Sequence, residues 1–155
     1  MSAGAPGAAP TVTRRGLGAA ALALSAGLVL AGCGPSTKKQ RARGEAYTAA
    51  ARRVPGVRAA TLTVEGRAEF RSVIIGAVEI DASDREALLR VFDEVMKQIV
   101  TLASKDKDAK YDELQQIEGR SRVGVVTVKD IDPDLVVGDW KVRPSQLYER
   151  YGIRG

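Results

Sequence analysis

The chain of 155 residues contains one thiol, Cys33, and no histidine. That inventory limits its chemistry. Without histidine there is no Ser-His or Cys-His nucleophile pair and no imidazole-bound zinc. A lone cysteine forms no intramolecular disulfide and no thiolate cluster. Asp130, Asp132, Asp134 and Asp139 form an acidic cluster whose first three alternate in the manner of an EF-hand calcium loop. That loop needs Gly at its sixth position and Glu at its twelfth. Counting from Asp130 gives Leu135 and Lys141, so Asp132-Pro133-Asp134 reads as a turn and no metal site is expected. The carboxylate pairs Asp93-Glu94 and Asp112-Glu113 read as solvated faces, with nothing to separate an acid from a base. There is no glycine-rich phosphate cradle and no Gly-x-Ser-x-Gly elbow. No catalytic residue and no cofactor is assigned. The enzyme class left open is a small hydrolase working with Asp, Glu, Ser or Lys alone.

The surroundings of Cys33 give it a different role. Arg14 and Arg15 precede an uncharged run from Gly16 to Gly32, rich in Ala, Gly and Leu. A basic segment, an apolar segment and small residues before a cleavage point form the layout of a secretory signal. Leu30-Ala31-Gly32-Cys33 resembles the lipobox of bacterial lipoproteins. The resemblance implies diacylglyceryl transfer to the Cys33 thiol and cleavage just before it. Residues 1–32 are then a removed signal peptide, and the chain is tethered to the extracytoplasmic face of the cell membrane. Two acyl chains give stable attachment where one is marginal. Thr13-Arg14-Arg15-Gly16-Leu17 also resembles a twin-arginine export signal. The same arginines suit an ordinary basic segment, so the export route stays open.

Net charge is +5, but its placement argues against nucleic acid as a partner. The excess sits at Arg14 and Arg15 and in Lys38, Lys39, Arg41 and Arg43; residues 46–155 balance at 18 basic and 18 acidic side chains. Residues 33–44 end in Gly44 and lack apolar periodicity, which predicts a lipidated cysteine followed by a flexible basic tether. Its four cations either contact anionic headgroups, at roughly 1 kcal/mol each, or are simply solvated. Trp140, Tyr148 and Tyr151 cluster near the C-terminus, as core or as a partner-binding patch.

The elements available to position these residues lie in 45–155, expected to form a single domain. A short helix is expected from Glu45 to Val54, stopped by Pro55-Gly56. Alternation in Val57–Glu65 and Phe70–Ile80 predicts a hairpin. Ser83 and Glu86 make a capping box for a long helix. Leu88, Leu89, Phe92, Val95, Met96, Ile99, Leu102 and Ala103 form its single apolar stripe. Residues 111–118 are expected as a further turn or two of helix, Val123–Lys129 and Leu135–Val142 as strands. Pro144 opens a last short helix closed by Gly152. The order α-β-β-α-β-β-α predicts an α+β fold, a small antiparallel sheet with helices on one face. In topology alone this resembles BON-type and ferredoxin-like envelope domains, and no functional residue is carried over. The expected function is a membrane-anchored, non-catalytic binding or adaptor domain; the hydrolase and a structural subunit of an envelope complex are the alternatives.

Overall fold

The computed structural model describes residues 35–67, 71–136 and 141–154. Helix α1 (Pro35–Arg52) leads into the hairpin β1 (Val57–Arg67) and β2 (Arg71–Ile80), followed by the long helix α2 (Arg85–Ala103). Then come β3 (Asp112–Ser121), β4 (Gly124–Thr127) and two one-turn helices, α3 (Val128–Ile131) and α4 (Tyr148–Tyr151). The fold is α+β, with the four strands in the order β1-β2-β3-β4.

The N-terminal helix corrects the expected tether. Helix runs from Pro35, so residues 35–44 are not a flexible spacer. Pro35 takes the first helical position, where a missing N–H costs nothing, and Lys, Arg, Gln, Glu and Ala are good helix formers. Gly44 does not end the helix but lies inside it, where α1 meets β1. A Cβ at Gly44 would sit 3.0 Å from the Leu62 carbonyl oxygen and 3.2 Å from Thr63 Cα. Beyond it, Tyr47, Ala50, Ala51 and Val54 are buried at helical spacing.

α1 also covers the edge of the sheet. The Thr48 hydroxyl donates to the Leu62 carbonyl at 3.1 Å and accepts from the Leu62 N–H at 2.9 Å. Arg52 donates twice to the Ala60 carbonyl, at 3.1 and 2.8 Å. These backbone groups of an edge strand would otherwise be open to pairing with another chain.

The sheet is mixed, not antiparallel throughout: β1–β2 and β3–β4 are antiparallel, and β2–β3 is parallel. The length of α2 explains this. Its 19 residues rise about 28 Å, close to the roughly 33 Å that a strand the length of β2 spans. The chain is thereby returned to the end where β2 began, and β3 starts with Asp112 beside Ser72. Residues 112–118, expected as helix, are strand. A register shift between Val73 and Ile75 places an extra residue in β3, and Leu114 and Ile117, three apart, both reach the core. That bulge imitates helical spacing.

Smaller corrections follow the same lines. The cap of α2 is Asp84, not Ser83: its carboxylate accepts from the Ala87 N–H at 2.8 Å, while the Ser83 hydroxyl donates to Asp84 at 2.8 Å. β4 ends at Thr127, because Thr127 and Asp130 form a capping box for α3. The expected strand over Leu135–Val142 instead opens within a 3-10 turn, Pro133–Val136. Pro144 does open a short helical segment, and Gly152 closes it at φ 64°.

The core lies between the helices and one sheet face. Ala60, Leu62, Val64, Ile74, Val78 and Ile80 meet Leu88, Phe92, Val95, Met96 and Ile99 of α2. Phe92 rests on the bare Cα of Gly119, where a Cβ would lie 2.6 Å from the ring. On the other face Thr61, Thr63 and Glu65 of β1 are exposed.

Candidate functional site

Of the residues singled out in the sequence, Arg14, Arg15, Leu30, Ala31, Gly32, Cys33, Asp139 and Trp140 lie outside the described residues. The four cations expected in the tether occupy the first turns of α1. Lys38 and Arg41 are exposed. Lys39 and Arg43, four residues apart and so on one side of the helix, turn toward the connection between α2 and β3. There Lys39 pairs with Asp108, and Arg43 pairs with Asp112 and with Asp106 at 3.5 Å.

Arg43 and Asp112 form the most buried charge pair. The Asp112 side chain is fully buried and that of Arg43 is 11% exposed. The Tyr47 hydroxyl also donates to Asp112, at 3.2 Å. Burial pushes the Tyr47 hydroxyl above its ordinary pKa, and the Arg43 charge opposes that only in part. One Asp112 oxygen, Oδ1, is buried without a protein partner. The pair therefore joins the middle of α1 to the first residue of β3.

Above this pair lies a depression of about 610 Å³ at one end of the domain. Three segments build it: α1 gives Lys39, Gln40 and Arg43, the ends of the hairpin give Arg67, Arg71 and Ser72, and the α2–β3 connection gives Lys107, Asp108 and Tyr111. Five cations and Asp108 line it, and of the five Lys39 is paired with Asp108 and Arg43 with Asp112 and Asp106. Ser72 is buried and Tyr111 is 46% exposed. Sequence reasoning found Lys39 and Arg43 but not Arg67, Arg71 or Lys107. No local spacing links them; the hairpin and the return of α2 bring them together.

The other depressions differ in character. One of about 630 Å³ is lined by Val54, Arg90, Asp93, Lys97, Arg150 and Tyr151, a mixture of signs. Tyr151 donates to Asp93 Oδ1 at 2.7 Å and Arg150 Nη2 to Asp93 Oδ2 at 2.9 Å. Tyr148 and Tyr151 are partly buried against the core. A groove of about 720 Å³ follows α1 and β1 past Gln40, Gly44, Thr48 and Leu62.

Several of the acidic residues weighed for chemistry are engaged with protein groups. Asp130 accepts from the Thr127 N–H at 2.8 Å and from Arg85 at 2.5 Å. Asp132 accepts from the Asp134 N–H at 3.2 Å, the expected turn. Glu113 is buried, with Lys141 at 3.6 Å and the Gln115 amide at 3.0 Å. Among the described residues, no cluster of three His, Cys, Asp or Glu is placed to hold a metal ion. Nor is any helix among them long and apolar enough to cross a membrane. Compared with protein-family models, curated proteins and solved structures, the chain matches none. The reading of function rests on the residues themselves.

Proposed function

We propose that the chain is a bacterial lipoprotein, held on the extracytoplasmic face of the cell membrane by a diacylglyceryl group on Cys33, with a non-catalytic binding or adaptor domain behind it. The observation that carries this is Leu30-Ala31-Gly32-Cys33, placed directly after an uncharged apolar run and holding the only cysteine. Among the described residues, the buried apolar side chains run from Tyr47 to Leu147, all beyond the proposed cleavage point. The adaptor reading is supported by the pairing of Asp112, Asp130 and Asp93 with Arg43, Arg85 and Arg150; Asp93 and Glu94 line one depression, but together with Arg90, Lys97 and Arg150. The cations of α1 lie close enough in sequence to Cys33 to meet anionic headgroups.

Intact mass of the protein from detergent-solubilised bacterial membranes tests the anchor. The expected mass begins at Cys33 with a diacylglyceryl increment, and a Cys33→Ser variant lacks that increment. A wild-type chain that keeps residues 1–32 and a free thiol would sink the proposal.

A further inference from the structure

We infer that the basic depression is a headgroup site: it takes the phosphate of an anionic lipid in the membrane that holds the chain, and so docks this end of the domain on the bilayer. The inference rests on the lipid-anchor reading and adds a ligand class and an orientation to it. Distance comes first. Cys33 is separated from Pro35, the first residue of α1, by Gly34 alone. Lys39 and Arg43 then follow at about 6 and 12 Å along the helix axis. The interfacial layer of a bilayer leaflet is about 5–8 Å deep. Because α1 is packed on β1 and not loose, the depression stays beside the anchor.

Chemistry comes second. Arg43, Arg67, Arg71, Lys39 and Lys107 converge on one concavity, while residues 46–155 as a whole carry no net charge. Arginine presents a planar fork of donors that matches phosphate oxygens. The Gln40 amide and the buried Ser72 hydroxyl add neutral donors in the same wall. Asp112 and Asp106 already pair with Arg43, and Asp108 with Lys39, so Arg67 and Lys107, exposed at the rim, are the cations offered to a phosphate. A nucleic acid would need a longer basic track with aromatic platforms; this depression is about 610 Å³ and, among the described residues, has Tyr111 as its one aromatic. That size suits a single headgroup.

Hydrogen exchange on the full chain, purified from bacterial membranes and placed in nanodiscs, tests the inference. One set of discs is phosphatidylcholine alone and the other contains phosphatidylglycerol. Slower exchange in residues 64–67, 71–74 and 105–112 is expected on the anionic discs only. Each cation near an anionic surface contributes about fivefold, so Arg67→Ala with Lys107→Ala lowers the docked-to-free ratio about 25-fold. Unchanged exchange across α2 in this variant verifies that it is folded. Equal exchange on both discs, or protection that survives the double substitution, overturns the inference. Equal protection on neutral discs with soluble glycerol phosphate also overturns it, since the site then takes free phosphate. Intact mass of the same sample reads the anchor separately. A chain that keeps its leader still sits in the disc, so failure of the lipoprotein reading and failure of the docking site are told apart.

Discussion

Replacing Asp112 by Asn tests whether the buried pair fastens α1 to the sheet. Breaking a buried ion pair by removing one partner costs about 3–5 kcal/mol, because the other charge stays buried and unpaired. Here the loss is smaller. Arg43 keeps Asp106 at 3.5 Å, a carboxylate whose side chain is 32% exposed, and the Asn carbonyl still accepts one hydrogen bond. About 2–3 kcal/mol is therefore expected, a large share of the stability of an ordinary domain. Arg43→Met leaves Asp112 buried with Tyr47 as its donor, at a similar cost. Removing both charges together leaves no orphan, so the double variant should cost at least about 1 kcal/mol less than the two singles added. Urea unfolding followed by circular dichroism gives the three values. Single costs below 1 kcal/mol, or additivity within about 0.5 kcal/mol, would refute the reasoning: the pair would then be a solvated contact that happens to lie under a helix.

Three further perturbations read other parts of the fold. Gly76→Ala should cost at least about 3 kcal/mol by thermal unfolding, since its Cβ would lie 2.0 Å from the Thr61 carbonyl at φ +147°; an unchanged midpoint would mean that the β1–β2 pairing is looser than described. Hydrogen bonds from the Ala87 N–H and then the Ser83 hydroxyl hold the Asp84 carboxyl below its ordinary value of 3.8, so its contribution is present above pH 3.8 and lost as pH falls through the folded-state value. Asp84→Asn, which caps as well, should flatten that acid limb with little change at neutral pH; a large loss at pH 7 would show that the charge matters and not the cap. Burial, then the bond to Asp93, raises the Tyr151 hydroxyl above 10.0, so its contribution is complete below pH 10 and falls as pH rises through the folded-state value. Tyr151→Phe should cost about 1 kcal/mol at pH 7 and weaken alkaline unfolding above pH 10; an alkaline limb identical to wild type would refute the assignment.

Sequence legibility followed the range of the interactions. The α2 stripe from Leu88 to Ala103 and the alternation of Ala60, Leu62 and Val64 are local patterns with one packing solution each, and both elements formed where their periods indicated. Residues 112–118 look helical in the sequence because Leu114 and Ile117 share a face through a bulge whose cause lies in the pairing with β2. Gly44 has a similar history. Seen alone it marks a break, but in the fold it is the bare Cα over Leu62 and Thr63. The site was half legible. Lys39 and Arg43 stand out as part of a charge run, yet the acids that orient them are 69 residues away. Arg67, Arg71 and Lys107 look like ordinary surface charge until the hairpin and the α2 return place them on one wall.

Turning the tether into helix changes what the proposed anchor does. A flexible spacer of 12 residues has a root-mean-square reach of about 20 Å, which would let the domain tumble and present any face to the bilayer. A helix beginning at Pro35 and packed on β1 removes that freedom. The segment that follows the proposed acylation site is the same segment whose Thr48 and Arg52 close the sheet edge, whose Tyr47 and Ala51 enter the core, and whose Lys39 and Arg43 line the basic depression. In the proposal, attachment, edge protection and ligand contact are carried by one rigid element. Inserting flexible residues ahead of α1 should keep the chain on the membrane and the domain folded, while headgroup-dependent protection of the depression weakens with each added residue. Protection indifferent to such an insertion would mean that the depression finds the bilayer by its charge alone, without help from the helix.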